Sequence, residues 1–162
     1  MSPLKGDITM NTPSQNIEKT LKGRKVLFLE NDNVLENGLD EFERILINGN
    51  IEYTVLFSLS EQPLEEILKS INECDVIVFQ TRWVYDISKT LFDYVSNLPN
   101  KKTVVEVYVN EPTWYYASQH GTHHDVYIYT CHTFYGKVFK DSEKFYKLTD
   151  KPYWGYENEF DE

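Results

Sequence analysis

The chain has 162 residues, with 26 acidic against 16 basic, a net charge of −10, and is 41% hydrophobic and 15% aromatic. A chain of this length buries about two-thirds of its unfolded surface as one domain, and so acidic a balance lacks the clustered Lys and Arg that a phosphate backbone needs, which disfavours naked nucleic acid as a partner. No apolar run reaches the roughly 20 residues of a membrane span, and Cys74 and Cys131 fall in or beside apolar runs, as the small hydrophobes of a reducing compartment do. The expectation is a cytoplasmic protein with no membrane partner.

Residues 1–24 contain two Pro, two Gly and scattered Ser, Thr and Asn, so they read as a flexible or docked tail with a short helical arm around 16–21. The domain is expected over 25–148. Its first strand is the run at 25–29, after which Leu35, Leu39, Phe42 and Leu46 recur at helical spacing, and Asn48 with Gly49 supplies a pair suited to a left-handed cap. A second strand follows at 51–57. Residues 60–73 read as an amphipathic helix through Leu64, Ile67, Leu68 and Ile71, with Pro63 in its first turn.

The third strand, Val76, Ile77, Val78 and Phe79, is apolar at every position, as a strand covered on both faces must be. A helix at 87–97 uses Leu91, Tyr94 and Val95, and Pro99 closes it before a fourth strand at 103–109. An aromatic and histidine-rich loop leads to a fifth strand at 126–130. The spacing of Phe134, Val138 and Phe145 then predicts a last helix over 133–145, and 149–162 is an acidic, aromatic tail. The fold class expected is α/β: one doubly wound, mainly parallel five-stranded sheet of Rossmann-like or flavodoxin-like type.

An open α/β sheet binds ligands beyond the carboxyl ends of its strands. The polar residues there are Glu30, Asn31 and Asp32 after the first strand, Gln80, Thr81 and Arg82 after the third, Asn110 and Glu111 after the fourth, and Cys131 and His132 after the fifth. Arg82, beside Trp83, offers a planar fork to a phosphate or carboxylate. Asn31, Asp32, Gln80, Thr81, Arg82 and Asn110 are thus the candidate ligand-binding residues. His132 and Glu111 are the candidate bases, His132 because an imidazole titrates near neutrality.

Residues 30–33 (ENDN) stand where a dinucleotide fold carries G-x-G-x-x-G, and no phosphate loop occurs elsewhere. No NAD, flavin or other cofactor is expected. His120, His123, His124 and His132 lack the spacing of a zinc motif, so no metal is expected either. The clusters Trp114-Tyr115-Tyr116 and Tyr153-Trp154-Gly155-Tyr156 suit a stacked sugar or base, or a protein contact.

Two resemblances follow. The runs 72–80 (NECDVIVFQ), 104–111 (VVEVYVNE), 124–131 (HDVYIYTC) and 151–157 (KPYWGYE) resemble the latter part of the first Rossmann-like domain of GT-B glycosyltransferases, a family that includes phage enzymes glucosylating hydroxymethylcytosine in DNA. The family's donor-holding second domain has no counterpart before Glu162, so the resemblance implies an acceptor-side half that pairs with a donor-binding subunit or keeps a binding role. A nucleotide sugar is the small-molecule partner so implied. Run 25–33 (KVLFLENDN) and the alternating order also resemble response-regulator receiver domains, but Gln80 stands near the phosphoryl-accepting Asp, and a carboxamide cannot take that group. The reading of another class is a non-catalytic interaction protein, a subunit of an assembly or a virus-encoded inhibitor of a host protein, meeting a protein partner through its acidic surface and aromatic loops.

Overall fold

The computed structural model describes residues 12–36, 38–80, 86–109, 123–134 and 137–147. Strands β1 (Val26–Leu29), β2 (Tyr53–Leu56), β3 (Val76–Gln80), β4 (Thr103–Val109), β5 (Asp125–Phe134) and β6 (Lys137–Lys147) form one sheet in the order β2-β1-β3-β4-β5-β6. Every pairing is parallel except β5 with β6. Helices α1 (Pro13–Leu21), α2 (Leu39–Asn48), α3 (Leu64–Glu73) and α4 (Asp86–Ser96) cover it.

The unalternating apolar strands explain the layering. Val26, Phe28, Val76, Val78, Val105 and Tyr129 pack with Ile17 and Leu21 of α1 and with Leu39, Phe42 and Leu46 of α2. On the opposite face Leu27, Leu29, Ile77, Phe79, Val104 and Ile128 meet Ile67 and Ile71 of α3 and Leu91 and Val95 of α4. Both faces of the central strands are dry, which is why no polar residue interrupts β1.

The sheet has six strands rather than five, and the last element is a strand where helical spacing predicts a helix. Phe145 stacks on Tyr127 of β5 at 5.0 Å and 7° on the α1–α2 side, whereas the adjacent Tyr146 packs into the other cluster. Neighbours pointing to opposite faces are the signature of period two; on a helix they would lie about 100° apart. β5 also runs on to Phe134, with a register irregularity between Thr130 and His132.

Helix α1 begins with a reciprocal cap: Thr12 Oγ1 accepts from the Gln15 amide at 3.1 Å and the Thr12 amide donates to Gln15 Oε1 at 2.9 Å. Its Ile17 and Leu21 are fully buried, so the hydrophobic core begins upstream of β1. Helix α2 ends at Gly49, which stays right-handed at φ −91° while Asn50 takes the left-handed position at φ 56°. A side chain at Gly49 would lie 2.7 Å from Glu18 Cγ, so the glycine there serves the close approach of α1 to α2.

Candidate functional site at the β1/β3 strand ends

β1 lies between β2 and β3, and the chain leaves it through α2 on one face of the sheet, whereas it leaves β3 through α4 on the other. The crossovers therefore part at the carboxyl ends of β1 and β3, the position at which open α/β sheets generally place a binding crevice. Leu29 pairs with Phe79, so the residues that follow, Glu30 and Gln80, flank this point.

Glu30 occupies it with a buried carboxyl group, only 3% exposed. Its backbone is pinned from both sides: its amide donates to the Leu56 carbonyl at 3.0 Å, and its carbonyl accepts from the Leu59 amide at 3.3 Å. Oε1 accepts from the Asp32 amide at 3.4 Å, whereas Oε2 is buried with no hydrogen-bond partner among the described residues. Burial is the largest influence on this carboxyl, opposed by the Asp32 and Asn31 amides and reinforced by the Asp32 and Glu36 charges, and the balance pushes its pKa up to about 7. A desolvated carboxyl at a strand-end crevice, titrating near neutrality, has the properties of a proton-transfer group.

The turn after it is acidic. Asp32 and Glu36 are exposed and their side chains are hydrogen-bonded, which is the main reason the Glu36 pKa lies above the usual carboxyl range. The Ser58 amide donates to the Asp32 carbonyl at 2.9 Å, and Ser58 itself is held at φ 49°. The turn is thus tied to the chain that follows β2. Gly38, at φ 95°, opens α2 with its amide donating to Asp40 Oδ1 at 3.2 Å.

Of the residues chosen from sequence, Asn31 and Asp32 lie on this turn and Gln80 ends β3, so the fold brings these three to the crevice. His132 does not follow a finished strand: β5 continues through it, and it pairs with Phe139 of β6 one residue beyond the last pairing with β4. Thr81, Arg82, Asn110 and Glu111 lie outside the described residues, as do the aromatic clusters at 114–116 and 153–156. Glu30, noted among the strand-end polar groups but not chosen, is the residue that sequence reasoning passed over. The available signal was the two-residue period, which carries the face of Val26 and Phe28 on to position 30.

The other sequence candidates serve structure. His124 is buried at the amino ends of β4 and β5, where Nδ1 accepts from the Lys102 amide at 3.0 Å and Nε2 donates to the Val95 carbonyl at 2.7 Å. Cys74 and Cys131 are free and buried, and burial pushes the Cys131 thiol up to about 12. Among the described residues no group of three or more His, Cys, Asp or Glu is placed to hold a metal ion, and no helix among them is long and apolar enough to cross a membrane. A cleft of about 90 Å3 between α1, α2 and β6 is lined by Ser14, Glu41, Arg44, Ile45, Asn48 and Glu143, and its Arg44 is held by Glu41 at 3.0 Å. Comparison of the chain with protein-family models, with curated proteins and with solved structures finds no match.

Proposed function

We propose that this chain is the acceptor-side domain of a glycosyl-transfer system, in which a hydroxyl-bearing acceptor sits over the carboxyl ends of β1 and β3 and Glu30 takes its proton. The observation that carries this reading is the Glu30 carboxyl at the parting of the crossovers, whose Oε2 has no hydrogen-bond partner among the described residues. A buried acceptor atom without a donor costs free energy, so a movement of the turn after β1 that let an acceptor hydroxyl reach it would be favoured. With a pKa near 7, the same oxygen is matched to general-base work at neutral pH, an effect worth about 10²–10⁴ in rate. The acceptor O–H gives its proton to Oε2 as its oxygen bonds to the anomeric carbon of a nucleotide sugar, and the bond from that carbon to the leaving phosphate breaks. The resemblance to GT-B acceptor domains supplies the reaction class. The carboxylates around Glu30 support a neutral or cationic acceptor in this crevice and disfavour the anionic donor, which a second subunit would hold.

The test is ligand-observed NMR and thermal shift on the full chain with monosaccharides and nucleotide sugars. Saturation of a sugar by the wild type, lost in Glu30→Gln while that variant keeps its circular dichroism spectrum, is the expected result. Silence with every sugar would overturn the reading in favour of a protein-binding role.

A further inference from the structure

At the amino ends of β4 and β5, Lys102 is clasped on three sides. Its amide donates to His124 Nδ1 at 3.0 Å, its carbonyl accepts from the Asp125 amide at 3.0 Å, and its Nζ reaches the Cys74 carbonyl at 2.6 Å. A backbone amide can only donate, so Nδ1 carries no hydrogen, and the single ring proton sits on Nε2, which donates to the Val95 carbonyl at 2.7 Å. The same carbonyl closes the end of α4 by accepting from the Leu98 amide at 3.1 Å. A second ring proton would have to go to Nδ1, where it would meet the Lys102 N–H, donor against donor. The surroundings also resist the charge it would bring. Among the described residues, His123, Lys102 and Asp125 are the charged groups that act on the ring. The His123 ring lies 4.2 Å away, and Lys102 is itself buried. Asp125 is the one carboxylate of the three, and it is already shared by Lys101 at 3.4 Å and Lys147 at 3.1 Å. After α3, Asp75 is turned to the Lys25 amide at 3.0 Å, and on α4 Asp93 is exposed. An imidazolium in this place would be poorly compensated as well as misdirected.

We infer that His124 is a proton-operated latch on the end of α4: a proton added at Nδ1 turns the ring out of its site, frees the Lys102 amide and the Val95 carbonyl, and leaves the sheet in place. Once solvated, the ring titrates as an ordinary histidine at about 6.5, above its value in the closed site, where burial holds it down. Opening therefore takes up a proton, and the open fraction grows by up to about tenfold for each pH unit below that value until the closed ring titrates too. The sheet survives because its β4–β5 ladder begins beyond the latch, at Thr103 and Asp125, and its central strands are packed on both faces. α4 is the crossover that leaves the carboxyl end of β3, so the latch sets how firmly the far end of that crossover is held. Glu30 takes no part in it.

The test is amide hydrogen exchange of the full chain by NMR, expressed as protection factors so that the intrinsic pH dependence of exchange cancels, with and without sub-denaturing urea. From pH 8 to pH 5 the protection of the Lys102 amide is expected to fall at least about tenfold further than that of Ile77 and Val78 in β3, through an opening that urea does not accelerate, the mark of a local event. His124→Gln keeps an acceptor and a donor but cannot titrate, and should hold Lys102 protected at both pH values. Should that variant not fold, Asp125→Asn takes its place: it removes the one carboxylate that favours the charged ring and should deepen the loss at pH 5. Lys102 protection that follows β3 at both pH values would overturn the latch, as would an acid loss that persists in His124→Gln or, in its absence, one that Asp125→Asn leaves unchanged. Nitrogen-15 shifts that place the ring proton on Nδ1 at pH 8 would overturn it as well.

Discussion

His124 holds the carbonyl of Val95, near the end of α4, at 2.7 Å through its Nε2 while its Nδ1 receives the Lys102 amide at 3.0 Å. One imidazole thus joins the helix before β4 to the residues that lead into β4 and β5. Burial lowers its pKa, with the Val95 carbonyl acting in the opposite direction. The unfolded chain therefore binds a proton near the ordinary histidine pKa of about 6.5, where the folded chain still resists it. Stability from this group is present above that pH and is lost as the pH falls below it. His124→Phe should cost about 1–3 kcal/mol at pH 8, chiefly by stranding the Lys102 amide. The cost should shrink at pH 5. Urea titrations of both proteins at the two pH values check this, and a cost that is the same or larger in acid would contradict it.

A second prediction concerns Lys102, whose Nζ is buried and reaches the Cys74 carbonyl at 2.6 Å and the Asn72 carbonyl at 3.4 Å. These carbonyls belong to the last turn of α3 and its cap, where a cationic group satisfies acceptors left over by the helix. Lys102→Met preserves the length of the side chain but removes the donors. It should lower stability by about 1–3 kcal/mol, seen as a lower urea midpoint with an unchanged slope. A midpoint equal to the wild type would mean that water serves these carbonyls equally well.

For Glu30 the sign runs the other way from His124. Its folded pKa, near 7, lies above the ordinary carboxyl value of 4.5, so the folded chain binds the extra proton between those pH values. The stability linked to it is fully present below pH 4.5 and is lost as the pH rises through 7. The slope is at most about 1.4 kcal/mol per pH unit. Glu30→Gln removes the ionisation, so its stability relative to the wild type should rise from pH 5 to pH 8. Thermal melts in matched buffers read this directly. A difference that stays flat would show that the carboxyl is solvated and would weaken its assignment as a base.

These residues also mark how far the sequence could be read. The unalternating runs at Val26 and Val76 announce covered strands, because nothing else tolerates apolar side chains on both faces, and the helix faces through Phe42 and Ile67 follow for the same reason. Position 145 was ambiguous: Val138 and Phe145 are seven apart, a distance consistent with helical spacing, and only the opposed packing of Phe145 and Tyr146 against β5 decides for a strand. The glycine at position 49 answers a tertiary demand, since Glu18 occupies the space a side chain there would need, while the left-handed position falls one residue later, at Asn50. Glu30 was visible as a strand-end polar group, but its lack of a partner depends on what surrounds it in space.

The last prediction contrasts two aromatic residues in contact. The Tyr129 ring meets that of Phe42 edge-on at 5.2 Å, and both side chains are fully buried. The Tyr129 hydroxyl has no hydrogen-bond partner among the described residues, and burial, with the charge of Glu143 next, raises its pKa. A buried hydroxyl without a partner costs about 1–3 kcal/mol relative to its solvated state. Tyr129→Phe deletes that atom and keeps the ring, so it should leave stability unchanged or raise it by up to about 1 kcal/mol. Phe42→Ala, by contrast, empties a site packed against Phe28 and Tyr129 and should cost about 3–5 kcal/mol. Denaturant midpoints of the two variants, measured side by side, check the pair. Destabilisation of Tyr129→Phe by more than about 1 kcal/mol would mean that the hydroxyl is satisfied by a bound water, which that variant would strand.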